Sequence, residues 1–304
     1  MTAAPSMEGR RVVVTGGSGF IGGHVVRALV AAGADVTIAD LRPPADPSLG
    51  AIVGDLTAAG AVDAAVPPGT DAIVHLAAVT SVLGSLERPV ETFDTNVAMT
   101  AALLERARTI GTKCLVMAST NAAVGGGADG GTIDELTPLR PLTPYGATKA
   151  AAEMMMSAST AAFGVRGVAL RLTNVYGTGM VLKDSVVARI MRAAVTGATF
   201  DVYGDGRQRR DYVSATDVVA AVMLALGGDM SGPLVIGSGT STSVLDLLEL
   251  ARGATGAPLP VQHVPAKSGE MAGVAVDTTR ARSYGWAPSV ALPEGLAQVW
   301  AAWC

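Results

Sequence analysis

The sequence predicts an α/β fold: a doubly wound parallel sheet with helices on both faces, and a smaller C-terminal α/β lobe that binds substrate. Three observations carry this expectation. Short runs of β-branched residues alternate with helical patterns through the first half. Those runs are continuously apolar, as expected of strands buried on both faces. A glycine-rich turn, Thr15-Gly-Gly-Ser-Gly-Phe-Ile-Gly22, joins the first run to the first helix.

Arg11 to Thr15 reads as a buried first strand, and Gly22 to Ala32 as the helix behind it. Asp35 to Asp40 gives a second strand, Ala51 to Val53 a short third, and Asp71 to Leu76 a fourth. A helix from about Asp94 to Thr109 leads to a fifth strand, Lys113 to Ser119. A helix from Tyr145 to Phe163 and a sixth strand, Gly167 to Leu172, complete the regular part. Beyond Gly177 the segments shorten, with turns at Gly204-Asp-Gly206, Gly227-Gly228, Gly253 and Pro258 to Pro260. The expected division is therefore a Rossmann-type domain over residues 8–176 and a second lobe over 177–304, some of whose segments return to the first. A ligand then lies at the carboxyl ends of the strands, between the two.

Composition excludes several classes. With 304 residues, 49% of them hydrophobic and 16% charged, the chain can bury a large core. A net charge of −4 argues against a nucleic-acid partner, whose footprint is basic. Cys114 and Cys304 lie far apart without CxxC spacing, and His24, His75 and His263 are scattered. Neither a disulfide framework nor a metal site is indicated, and a reducing compartment is the default. The first residues lack the basic-then-apolar pattern of a signal peptide. The best uninterrupted apolar run, Val218 to Leu226, is far short of the roughly 20 residues of a membrane span. The expectation is a soluble, cytoplasmic protein with no membrane or nucleic-acid partner.

Gly16, Gly17, Gly19 and Gly22, with Phe20 and Ile21 between the last two, follow the first strand and open the first helix, where a tight turn lets backbone approach a pyrophosphate seated on the helix amino terminus. Asp40 ends the second strand, 18 residues beyond Gly22. A carboxylate there suits the two hydroxyls of an adenosine ribose and repels a 2′-phosphate, which favours NAD over NADP. Arg42 works the other way, since its cation could meet a phosphate. Asp55, followed by Leu56, could accept from an adenine amino group; a solvated loop aspartate is the alternative.

Tyr145 and Lys149 are four residues apart and share one face of a helix. A nearby ammonium favours the phenolate, so the tyrosine can serve as acid or base. Ser119 or Thr120, closing the fifth strand, can hydrogen-bond the reacting carbinol oxygen and share its proton with Tyr145. The plainer alternatives are a surface pair at a helix start after Pro144, and a polar cap at a strand end.

Further motifs extend nearly end to end. They are His75-Leu-Ala-Ala78, Thr95-Asn96-Val97, Leu170-Arg-Leu-Thr-Asn-Val-Tyr-Gly177, Tyr203-Gly-Asp-Gly-Arg-Gln-Arg-Arg-Asp-Tyr212, Ile236-Gly-Ser-Gly239 and Gly285-Trp-Ala-Pro288. With TGGSGFIG and YGATK, they make the chain resemble the extended short-chain dehydrogenase/reductases acting on nucleotide sugars. The nearest type is the NAD-dependent UDP-hexose 4-epimerase.

The resemblance implies a Rossmann fold and a set of roles. Leu76, Ala77, Ala78, Asn96 and Ser119 would join the glycine turn, Asp40, Arg42, Asp55, Leu56, Tyr145 and Lys149 in holding NAD. Thr120 would bind the sugar O4, with Thr80 also on the substrate side. Tyr145 would be the base and Lys149 its electrostatic partner. Asn174 would hold the sugar diphosphate and Arg210 neutralise its phosphates. Lys267, before Gly269-Glu270, stands where the family commonly has an arginine, and supplies a point charge rather than a fork. The helices 94–109 and 145–163 would form a homodimer.

Two departures accompany the match. Ala123-Val124-Gly125, followed by Gly126-Gly127, replaces a family Val-Tyr-Gly, removing an aromatic beside the sugar. Asn121 and Ala122 stand where 4,6-dehydratases carry an acid pair. The expected function is thus C4 epimerisation of a UDP-hexose through a 4-keto intermediate, with NAD accepting and returning the hydride. A 4-ketoreductase of deoxysugar nucleotides is the runner-up, and an NAD-binding regulator or scaffold the non-enzymatic alternative.

Overall fold

The computed structural model describes residues 5–125, 131–266 and 273–304. β1 (Arg11–Thr15) passes through the glycine turn into α1 (Phe20–Ala31). β2 (Asp35–Asp40) and β3 (Ala51–Val53) then pair outward from β1, all parallel. After α2 (Ala61–Ala65) the chain crosses back, and β4 (Ala72–His75) pairs with the opposite side of β1. This reversal opens a crevice above the carboxyl ends of β1 and β4, where open α/β sheets bind ligands.

α3 (Val82–Glu87) and α4 (Pro89–Phe93) precede a π turn, Asp94–Ala98, and α5 (Met99–Ile110). The helical stretch thus begins before the expected Asp94. Pro89 sits in its first turn, where a missing N–H costs nothing. β5 (Cys114–Thr120) lies beside β4. β6 (Thr132–Ile133) and α6 (Pro144–Phe163) follow, and β7 (Arg166–Leu172) pairs with β5.

The second half begins with β8 (Asn174–Tyr176), α7 (Val186–Thr196), β9 (Phe200–Tyr203) and β10 (Arg209–Ser214). α8 (Ala215–Gly227) then packs on α1, and β11 (Gly232–Ile236) adds a seventh parallel strand beside β7. The sheet order is β11-β7-β5-β4-β1-β2-β3. β12 (Ser241–Ser243), α9 (Val244–Thr255), β13 (Val261–Val264), β14 (Ala275–Val276), α10 (Thr279–Ser283) and α11 (Leu292–Ala301) end the chain.

Alternation along the strands splits the core into two layers. Val12 and Val14 face α1 and α8, with Leu29, Val222 and the fully enclosed Trp286. Val13, Ile73, Leu115 and Met117 face α5 and α6, meeting Leu103, Ala152 and Met156. Both faces are therefore covered, which is why these strands read as continuous apolar runs. A third cluster, including Met191, Phe200, Tyr212, Leu247 and Val299, packs α7, α9 and α11 around the small β8–β10–β12 sheet. Among the described residues no helix is long and apolar enough to cross a membrane.

Candidate active site

A cleft of about 1720 Å³ runs over the strand ends between the sheet and the smaller lobe. Its walls include Gly16, Gly19, Phe20, Ile21, Gly22, Asp40, Arg42, Asp55, Leu56, Leu76, Ala77, Ala78 and Thr80 from the first half. Ser119, Thr120, Tyr145 and Lys149 lie at its middle, with Asn174 and Arg210 toward the second lobe. Of the expected site residues, Asn96 does not line it, and Lys267 lies outside the described residues.

The glycine turn is built for close approach. A Cβ on Gly22 would enter the carbonyl oxygen of Gly16, so the first turn of α1 can fold back against the loop only with glycine there. α1 has no side-chain cap, its N-cap being Gly19, so its opening amides remain available to a phosphate. Asp40 ties this loop to the end of β2, its carboxylate accepting from the backbone N–H of Ser18 and of Arg42, each at 3.0 Å. Asp55 accepts from Thr57 through both the backbone N–H at 2.9 Å and the hydroxyl at 2.7 Å, bonds that hold its carboxyl below the usual range. These features fit a dinucleotide: a dipole-backed cradle for the pyrophosphate and a carboxylate at each end of the adenosine.

Lys183, also on the wall, was not foreseen. Its pKa is pushed down by burial and by the charge of Arg42, so two cations approach each other at this end of the cleft. They would welcome a 2′-phosphate if Asp40 did not repel it. NAD is therefore expected to bind more tightly than NADP, and Asp40→Ala to narrow the ratio of the two dissociation constants by about 10-fold. Titrating both nucleotides against both proteins checks this; an unchanged ratio would show that Asp40 does not select.

At the reacting end, Thr143 caps α6 by accepting the Gly146 N–H at 3.2 Å, and Pro144 occupies its first turn. The hydroxyl of Ser85 accepts the Tyr145 N–H at 3.1 Å, anchoring the helix start to α3. Gly146 abuts the carbonyl of Ala122, and a side chain there would force α6 away from the turn after β5. This contact brings Tyr145 within hydrogen-bonding reach of Thr120. The choice between Ser119 and Thr120 is thereby decided. Thr120 faces Tyr145, whereas the Ser119 hydroxyl donates to Glu153 behind the strand.

The electrostatics correct one expectation. Tyr145 is not poised near neutrality: burial pushes the phenol up to about 12, with the Thr120 hydrogen bond pulling the other way. Burial also pushes Lys149 down to about 8, while the Glu153 carboxylate favours its ammonium. Burial of the two side chains penalises both ions more than their neighbours help them.

Asn96 has a supporting place. It is buried in the π turn, where its Nδ2 donates to Val79 O and to the Thr148 hydroxyl, both at 3.0 Å, and its Oδ1 accepts from Val79 N at 2.8 Å. It clamps the loop after β4 to α6, and its contact with the cleft is indirect. His75 is similarly internal. The Thr100 hydroxyl donates to Asn96 O at 2.6 Å, so it accepts from His75 Nε2, leaving Nδ1 to accept from Thr15. Burial and the Lys149 charge push this imidazole down to about 3, which keeps it neutral.

On the far wall, Asp211 organises the strand that carries Arg210. Buried, it accepts from Thr173, from Ser238 through N–H and hydroxyl, and from Thr240, at 2.8 to 3.0 Å. Its carbonyl accepts the Asn174 side-chain amide at 2.9 Å, setting Asn174 next to Arg210. Val124 packs with Ile133, Val235 and Val276 in a satellite cluster rather than on the cleft wall. The expected gap beside the sugar is thus not at that side chain. Gly126 and Gly127 lie outside the described residues.

Comparison with known proteins places this geometry. A UDP-glucose 4-epimerase of Lactobacillus helveticus is 33% identical over 304 residues, covering 91% of this chain and 92% of that protein. The structure of a UDP-glucose 4-epimerase from Thermotoga maritima with UDP-glucose superposes with a TM-score of 0.91 at 30% identity, covering 96% and 98% of the two chains. That of the Thermus thermophilus UDP-glucose 4-epimerase with NAD gives 0.90 at 32%, with the same coverage. Residues 12–237 match the model of the NAD dependent epimerase/dehydratase family. By fold, motifs and sequence, the chain belongs to the NAD-dependent epimerase/dehydratase family.

Proposed function

We propose that the protein interconverts C4 epimers of a UDP-hexose through a 4-keto intermediate, using NAD as a bound cofactor. The observation that carries this is the meeting of Thr120, Tyr145 and Lys149 midway along one cleft, between the glycine cradle and the Asn174–Arg210 wall. The curated and solved relatives named above support the UDP-hexose and the cofactor.

When bound, NAD supplies a reversible hydride acceptor for C4. The chain's own residues manage the proton and the substrate. Thr120 holds the O4 hydroxyl and hands its proton to Tyr145, which returns it when the ketone is reduced on its other face. Tyr145 must be ionised to accept that proton; burial opposes this, and the Lys149 ammonium one turn along α6 is the charge that would favour it. Arg210 and Asn174 hold the diphosphate while the sugar turns. Neither Asn121 nor Ala122 can protonate a departing hydroxyl, so loss of water is not expected.

The lobe that holds the nucleotide sugar is taken from residues 177–304, less β11, α8 and the segment around Trp286, which join the core of the main sheet. Exposed Leu86, Phe93 and Met154, on the mutually packed α3, α4 and α6, support a homodimer through that face. We place the protein in the cytoplasm, where the free thiols of Cys114 and Cys304 persist.

The test is to incubate the protein with UDP-galactose and follow UDP-glucose alongside absorbance at the NADH band. Epimerisation without net absorbance change is expected. Stoichiometric NADH consumption with a 4-keto deoxysugar nucleotide, and no epimerisation of any UDP-hexose, would make it a ketoreductase.

A further inference from the structure

Two charged side chains that this chemistry leaves unused are buried directly behind it. Glu153 is 7% exposed and Arg171 only 3%. The Arg171 Nη2 donates to Glu153 Oε2 at 2.8 Å, and its Nε lies 3.2 and 3.1 Å from the two carboxylate oxygens. Nη1 is anchored on the carbonyl oxygens of Asp134 and Glu135, at 3.2 and 3.3 Å. Desolvating such a pair is costly, and a well-packed hydrophobic pair would commonly stabilise the fold as well. Stability therefore gives no reason for this pair. Its surroundings do: Glu153 stands one helical turn beyond Lys149 and accepts the Ser119 hydroxyl.

We propose that Glu153 is a positioning residue for the reaction, holding Lys149 as an ammonium and engaging the Ser119 hydroxyl so that Thr120 alone is offered to Tyr145 and the sugar. Arg171 locks the carboxylate in place for both tasks. The inference rests on the reading of Tyr145, Lys149 and Thr120 as the reacting group.

The neighbours of Lys149 make the dependence specific. On α6 it has Tyr145, neutral because burial pushes it up to about 12, and Glu153. From β4 comes His75, which is neutral, and β5 brings the hydroxyls of Ser119 and Thr120 to Glu153 and Tyr145, the two residues one turn either side of Lys149. β7 contributes Arg171, a cation held on the Glu153 carboxylate. Burial pushes Lys149 down to about 8, and Glu153 is the carboxylate opposing that shift. Without Glu153 the ammonium would face burial with no opposing charge, and its midpoint would fall into the working pH range.

The full chain carries few lysines, namely Lys113, Lys149, Lys183 and Lys267. Carbon-13 labelling of lysine, with Lys149→Met for assignment, therefore lets nuclear magnetic resonance follow the Lys149 titration. The unmodified protein should titrate near pH 8. In Glu153→Gln the midpoint should drop by about one pH unit or more, and Glu153→Asp should largely restore it. The paired change Glu153→Gln with Arg171→Met keeps the test open if the single variant fails to fold on account of an unpaired Arg171, and should show a drop in the same direction, smaller because a nearby cation has gone as well. With UDP-galactose, Glu153→Gln should lose kcat on the alkaline side at a lower pH than the unmodified protein, with KM little changed. A purely structural Glu153 would lower the melting temperature and leave the Lys149 midpoint where it was; an unshifted midpoint in a folded variant overturns the proposal. Failure of the unmodified protein to turn over any UDP-hexose would instead overturn the functional reading, since the lysine titration needs no substrate.

Discussion

Tyr145→Phe should lower the epimerisation rate by at least about 100-fold, the usual cost of losing a positioned general acid or base. The change removes the one oxygen that meets Thr120 and leaves the rest of the helix start as it is. The Ser85 hydroxyl bonds the backbone N–H of residue 145, and the Thr143 cap bonds Gly146, so neither anchor depends on the phenol. The ring keeps its packing, and both NAD and UDP-hexose should bind with nearly unaltered affinity. Loss in kcat with binding preserved is the signature of an interaction made in the transition state. Steady-state rates on UDP-galactose, read with dissociation constants for NAD and UDP, provide the check. A fall of less than tenfold would mean that the proton travels by another route.

Arg210→Ala should weaken UDP-hexose binding by about 10- to 100-fold, equivalent to roughly 1.5–3 kcal/mol, because a diphosphate in a partly dry cleft needs charge-assisted donors. β10 should keep its place without the side chain. Its register with β12 and β8 is set by backbone pairing, and Asp211 remains bonded to Thr173, Ser238 and Thr240. NAD affinity should barely change, since the cradle around Gly16 and Asp40 belongs to the opposite wall. Calorimetry with UDP and with NAD separates the two. Equal affinity for UDP in both proteins would return the segment Gly204 to Tyr212 to a solvated hairpin.

The parts of this protein written in its sequence are those whose causes are local. Continuous apolar strands, a glycine turn between strand and helix, an acid closing the second strand, and a tyrosine four residues before a lysine each follow from backbone geometry over a few residues. They were enough to indicate the fold class, the glycine cradle with Asp40, and the Tyr145–Lys149 face of the cleft; Asn174 and Arg210 were expected from the family resemblance. Tertiary structure decided what depends on distant segments meeting. Thr120 rather than Ser119 faces the phenol because Gly146 lets α6 close on Ala122 while Glu153 claims the serine. β11 completes the main sheet from the second half, since strand edges are filled by pairing rather than by order in the chain. Asn96 turns inward because a π turn places its amide against Val79 and Thr148. The ionisation of Tyr145 and Lys149 was equally out of reach, since spacing reports that a cation lies near but burial sets the cost of charging either group. One local sign of the buried network was present all the same. Arg171 is a charge inside the apolar run Leu170-Arg-Leu172, and Glu153 lies one turn beyond Lys149; a charge in a doubly covered strand requires a buried partner, which only the fold could name.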